Sequence, residues 1–115
     1  MICSAFFGEL CEARKASWNN GDKNPYAVLD SPIRLERKEY ALLHEGNAYF
    51  HDSIQIDWGS FAWKCTPEEI IKFLIDHKSN LSWLTENDNQ LLESIQAYIS
   101  ERGQVPYGVV FIEEG

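Results

Sequence analysis

The segment Thr66-Pro67-Glu68-Glu69 constrains this chain more than any other, because it carries the start signal of a helix in full. Thr66 offers a capping hydroxyl, Pro67 fits the first helical position, where an N–H would be unpaired anyway, and Glu69 stands three residues after the cap. Ile70, Ile71, Phe73, Leu74 and Ile75 supply the buried stripe that follows. A second helix is expected with Thr85 as its cap and Asp88 three residues on. Leu91, Leu92, Ile95, Tyr98 and Ile99 face its interior, and Arg102-Gly103 ends it. Pro106 then breaks the chain before a last strand over 107–112.

What precedes the two helices reads mostly as strands. From Tyr40 the period becomes two: 40–44 and 48–51 flank Glu45-Gly46-Asn47 as a hairpin loop, whose Gly or Asn can take positive φ. Phe50, Ile54, Ile56 and Trp58 then fall on even positions, with Tyr49, His51, Gln55 and Asp57 on the wet, odd side. Parity flips after Gly59-Ser60, where Phe61, Trp63 and Cys65 are odd, so a turn or bulge is expected at Gly59. Residues 26–29 are strand-like, and 32–39 suit a strand and a Ser31-capped helix equally. At the start, Ile2, Cys3, Phe6, Phe7, Leu10, Cys11 and Ala13 recur at helical spacing, with Gly8 against it. The expected order is α-β-β-β-β-α-α-β. Strands clustered beside consecutive helices give an α+β fold, an antiparallel sheet of about four to five strands packed on one face by two to three helices. A chain of 115 residues is expected to make one compact domain over 1–115, with a radius of gyration of about 13 Å.

Charge narrows the function classes. Residues 1–40 hold six acids and six bases, while 41–115 hold twelve acids and four bases, so the later part carries the whole net charge of −8. Such a surface repels nucleic acid and anionic membranes and steers toward basic proteins. Glu68, Glu69, Glu86 and Asp88 fall in first helical turns, where the helix dipole favours them. The segment 39–63 has no Lys or Arg but holds Glu39, Glu45, Asp52 and Asp57. No apolar run reaches the 18 or so residues of a membrane span. Glu9 and Glu12 interrupt the apolar start before a signal-peptide core forms. Three cysteines, Cys3, Cys11 and Cys65, cannot all pair internally, and reduced thiols in the cytoplasm are the simplest account.

Motifs for chemistry are few. The seven Gly residues never form a phosphate-binding loop, and the chain lacks Cys-x-x-Cys and His-Glu-x-x-His. His44, His51, Asp52 and Asp57 are the nearest to a ligand cluster, and no metal or cofactor is assigned to them. Cys65, between Trp63 and Thr66, reads as a buried structural thiol, not a nucleophile. The expectation is a non-enzymatic acidic binding domain, an inhibitor or immunity-type protein that engages a basic partner such as a nuclease. Tyr49 would serve as aromatic anchor, with Glu45, Asp52 and Asp57 around it on a sheet face. The alternative is a small-molecule binding domain or minor enzyme with a pocket between sheet and helices, lined by Trp58, Trp63, Tyr98 and Tyr107. A monomer is expected, or a small homo-oligomer pairing through an exposed edge of the last strand.

Overall fold

The computed structural model of the chain describes residues 2–11, 28–57 and 59–114, with the side chains of Ile56, Asp57 and Glu114 left aside. The elements are β1 (Ile2–Leu10), β2 (Leu29–Arg34), α1 (Glu39–Tyr49), β3 (His51–Asp57), β4 (Ser60–Cys65), α2 (Pro67–Asp76), α3 (Ser82–Arg102) and β5 (Tyr107–Glu114). The five strands form one antiparallel sheet in the order β2-β1-β5-β4-β3. Among the described residues, three helices, α1, α2 and α3, pack on one face, so the fold is α+β as the sequence implies. Their Leu42, Ile70, Phe73 and Ile95 share a core with Phe7, Trp63, Val109 and Phe111 from the strands. A second cluster, including Leu10, Leu29, Ala62, Val110 and Ile112, occupies the opposite face. The radius of gyration is 13.3 Å.

The start of α2 follows its signal closely. Thr66 Oγ1 accepts from Glu69 N–H at 3.2 Å, and Thr66 N–H donates to the Glu69 carboxylate at 2.7 Å. Gly59 takes φ 75° in the turn between β3 and β4, and Gly103 takes φ 74° after α3. Helix α3, however, begins at Ser82, not after Thr85. Thr85 and Asp88 reach back instead: Thr85 Oγ1 donates to Ser79 O at 2.7 Å, and Asp88 accepts from Ser79 N–H at 2.6 Å.

Two expected elements change type. The first segment is a strand, not a helix, because β1 is covered on both faces: Ala5 and Phe7 face the helices, while Phe6 and Leu10 join the other cluster across an irregularity between Phe7 and Glu9. Apolar residues on both parities imitate helical spacing. The expected hairpin around Glu45-Gly46-Asn47 is instead the interior of helix α1. Gly46 serves close packing there, since a Cβ would lie 2.7 Å from the Trp63 ring, and Asn47 Oδ1 accepts from Trp63 Nε1 at 2.7 Å. Among the described residues the order is therefore β-β-α-β-β-α-α-β. Residues 32–39 divide, with a strand through Arg34, a turn at Glu36 and Arg37, and a helix from Glu39.

Strand β5 lies between β1 and β4, so the last strand has no free edge for homo-oligomers. The edges are β2 and β3. Pro32 and the left-handed Ser31 (φ 47°) interrupt one, and Asp52 (φ 52°) with two register irregularities interrupts the other. Both devices discourage edge-to-edge pairing. The irregularity also breaks the expected even face of β3: Phe50 joins the helix-side core, while Ile54 packs with the opposite cluster. Trp58, and residues 26 and 27 of the expected early strand, lie outside the described residues.

Candidate functional site

The corner where α1, α2 and β3 meet gathers three of the four residues expected to bind a partner. It does so on a helix and an edge strand, which corrects their placement together on a sheet face. Tyr49, the last residue of α1, donates its hydroxyl to Asp76 at 2.7 Å, and Lys72 bonds the same carboxylate oxygen at 2.9 Å. Glu45, one turn earlier, contacts His77 Nε2, while His77 Nδ1 lies 2.9 Å from Phe73 O. Asp52 on β3 is 3.6 Å from His51 Nδ1 and 3.8 Å from Lys64 Nζ, and His51 Nε2 is 3.5 Å from Glu69. The side chain of Asp57 is not described. Each described acid of this corner therefore has a basic group beside it. The hydrogen bond to ionised Asp76, then loss of solvent, pushes the Tyr49 phenol up to about 12. Lys72 and Tyr49 hold Asp76 below the usual carboxylate range.

The rings expected to line a pocket are packed in the interior. Trp63, Tyr98 and Tyr107 all belong to the helix-side core, and Trp58 lies outside the described residues. Their polar ends hold the fold together. Tyr98 Oη accepts from Glu9 N–H at 2.7 Å and donates to Asp30 O, with the Arg102 guanidinium 3.8 Å above its ring and 3.1 Å from both Glu9 and Asp30. Tyr107 donates to Gly103 O at 2.6 Å and borders an open cleft shared with Pro67, Val105 and Pro106. Burial pushes both phenols up. Cys65 is buried, and burial pushes its thiol up, away from the thiolate a nucleophile needs. Among the described residues no three His, Cys, Asp or Glu side chains converge on one point.

A third region lies where Arg34, Arg37 and Lys38 interleave with Glu36 and Glu39, a basic cluster that the sequence alone reads as a solvated face. The turn between β2 and α1 and the flank of α3 enclose a groove of about 310 Å³ lined by Ile33, Arg34, Glu36, Asn87, Gln90, Leu91 and Ser94. It continues past Arg37 and Leu84 into a smaller recess of about 110 Å³. At its end the Arg37 guanidinium lies 5.4 Å over the ring of Trp83, which is 57% exposed. Arg37 holds φ 63°, a left-handed conformation uncommon for a residue with a side chain. Beneath this turn, buried Lys38 pairs with Asp88 at 2.9 Å and donates to His77 O at 2.6 Å, which ties all three helices together. Burial alone would raise Asp88, but the Ser79 N–H and Lys38 outweigh it and leave the carboxyl lowered.

The outer face of α3 differs from the corner in one respect. Residues 79–101 contain no Lys, Arg or His. Asp88 faces inward, whereas Glu86 and Glu93 are exposed, and among the described residues no cation reaches either. Seven residues apart, they share one side of the helix about 10 Å from each other. Comparison with protein-family models, curated proteins and solved structures finds no match. Function must therefore be argued from these surfaces. Matched charges at the corner produce short-ranged dipolar fields, whereas the carboxylates of α3 that have no cation partner among the described residues attract a cationic surface from about a Debye length away. The signal available in the sequence was the long cation-free stretch; Trp83 on its polar side was the second clue.

Proposed function

We propose that this protein is a non-enzymatic acidic binding domain that engages a basic protein, in the manner of an inhibitor or immunity-type protein occupying the cationic groove of a nucleic-acid enzyme. The reading is supported by the stretch 79–101, which holds no Lys, Arg or His and in which Glu86 and Glu93 are exposed and, among the described residues, without a cation partner, on a chain of net charge −8. Within it, Glu86 and Glu93 contribute more to association than Glu45 or Asp52, whose charges already have partners. Complementary fields of this kind act first on the association rate and decay with salt. The test is retention of basic nucleic-acid-binding proteins from source-cell lysate on the immobilised chain, compared with Glu86→Lys/Glu93→Lys, at rising salt. Binding should fall about tenfold or more in the double variant and weaken steadily as salt rises above physiological strength. A partner held equally by both forms at every salt concentration would exclude this mechanism.

A further inference from the structure

We infer that the hollow where β2 turns into α1 is a binding site for a zwitterion, a free α-amino acid whose apolar side chain lies against Tyr40. This site is separate from the acidic face of α3 and takes a ligand of its own. It has a volume of about 380 Å³, within the range of small-molecule sites, and is lined by Arg34, Glu36, Arg37, Glu39 and Tyr40. Two guanidiniums and two carboxylates thus share one small space, and they barely use one another. Among the described residues the single ion pair between them joins Arg34 Nη2 to Glu39 at 3.8 Å, too long for a hydrogen bond. Arg37 meets the Trp83 ring, and among the described residues Glu36 has no cation beside it. Glu39 is the most telling of the four. Its side chain is 9% exposed, whereas that of Arg34 is 54% exposed. A carboxylate so far removed from water ordinarily accepts hydrogen bonds, and among the described residues no donor supplies one to Glu39.

The lining selects the ligand by charge. A simple cation would meet Arg34 and Arg37, and a simple anion would meet Glu36 and Glu39. An α-amino acid carries both charges across a single carbon, about 3 Å apart. Its ammonium can therefore pair with Glu39 while its carboxylate pairs with Arg34, across the gap that those two leave, and Arg37 and Glu36 supply one further charge of each sign. No side chain caps α1, so the N–H groups of its first turn also favour a carboxylate placed beside them. The ring of Tyr40, 59% exposed, offers the side chain an aromatic surface. The frame is set before a ligand arrives. Lys38 N–H donates to Leu35 O at 3.1 Å across the turn, Leu35 N–H donates to Ala5 O at 2.7 Å, and the Lys38 side chain is anchored on Asp88 and His77 O. Arg37 is held at φ 63° within that frame, strain of the kind that concentrates at ligand sites.

The experiment titrates the full chain, labelled for amide spectra, with phenylalanine, with phenylalanine amide, which keeps only the ammonium, and with N-acetylphenylalanine, which keeps only the carboxylate. Phenylalanine should shift the amides of 34–40 and bind about tenfold more tightly than either derivative. Glu39→Gln should weaken phenylalanine and its amide about tenfold and leave the N-acetyl form unchanged, whereas Arg34→Gln should weaken phenylalanine and the N-acetyl form and spare the amide. Arg34 is half exposed, so its variant keeps the test in force should Glu39→Gln fail to fold. Shifts absent from 34–40, binding of either derivative as tight as that of phenylalanine, or an equal loss of all three ligands in Arg34→Gln would overturn the site. None of these outcomes bears on the acidic face of α3, whose partner is read by salt-dependent retention and the reversals at Glu86 and Glu93.

Discussion

The corner of α1, α2 and β3 and the outer face of α3 both display carboxylates, but they use them in opposite ways. At the corner Glu45, Asp52 and Asp76 each lie beside His77, Lys64 or Lys72. On α3 Glu86 and Glu93 stand in a stretch without a single cation. Net charge therefore says little about where a partner binds; what remains after internal pairing says more. Helix α3 shows the same contrast within itself. Asp88, two residues from Glu86, points inward, and its side chain is only 13% exposed against a Lys38 side chain at 6%.

The largest test of this contrast sets those neighbours against each other. Asp88→Asn leaves Lys38 charged and buried without a counter-ion, and should cost about 3 to 5 kcal/mol of stability. Glu86→Gln and Glu93→Gln should each change it by less than about 0.5 kcal/mol. The pH dependence follows from the lowered folded value of Asp88. Its contribution is fully present above the unfolded value, about 3.9, and is lost as pH falls through the lower folded value. Denaturant melts should thus show a constant gap between wild type and Asp88→Asn above about pH 5 that closes in more acid solution. A comparable loss from Glu86→Gln would erase the distinction between inner and outer acids.

A smaller effect is expected where α1 sits on the sheet. Alanine at position 46 would raise helix propensity by about 1 kcal/mol. The added methyl, however, would lie 2.7 Å from the ring of Trp63, which is itself buried and bonded to Asn47. Overpacking of this kind costs about 1 to 3 kcal/mol, so Gly46→Ala should lower the melting temperature. A stabilised variant would mean that α1 is not seated on Trp63, and the fixed geometry of the corner would be in doubt.

These cases show why some of the molecule was legible in the sequence and some was not. The cap at Thr66, the stop at Gly103 and the parity flip at Gly59 depend on residues a few positions apart, and each stands where the pattern put it. The α+β class followed from the same local signals. Helix α1 was hidden because Gly46 answers to a ring on β4, and β1 because burial on both faces removes the alternation that marks a strand. Candidate sites were harder still. Glu45 and Tyr49 looked free until α2 brought His77 and Asp76 to them, and the groove exists only because the β2–α1 turn carries Arg37 to Trp83. Long-range pairing decides which charges remain available, and single-sequence periodicity carries no record of it.

The finest test reads the corner through one proton. Tyr49 donates to Asp76, and the ionised carboxylate both accepts that hydrogen bond and repels a phenolate, so both effects favour the protonated ring and carry its titration to about 12. Because the folded value is raised, the stabilisation is fully present below the ordinary phenol value of about 10 and is lost as pH rises toward the folded one. Asp76→Asn keeps an acceptor but removes the charge. Ultraviolet titration, with Tyr49→Phe to assign the transition, should show the phenol moving back toward about 10 in that variant. The same substitution frees Lys72 from its carboxylate, so it should weaken binding to a basic partner only slightly, whereas the charge reversals on α3 weaken it strongly. If Tyr49 titrates normally in the wild type, its carboxylate is not engaged inside the fold, and the corner regains an equal claim to the partner.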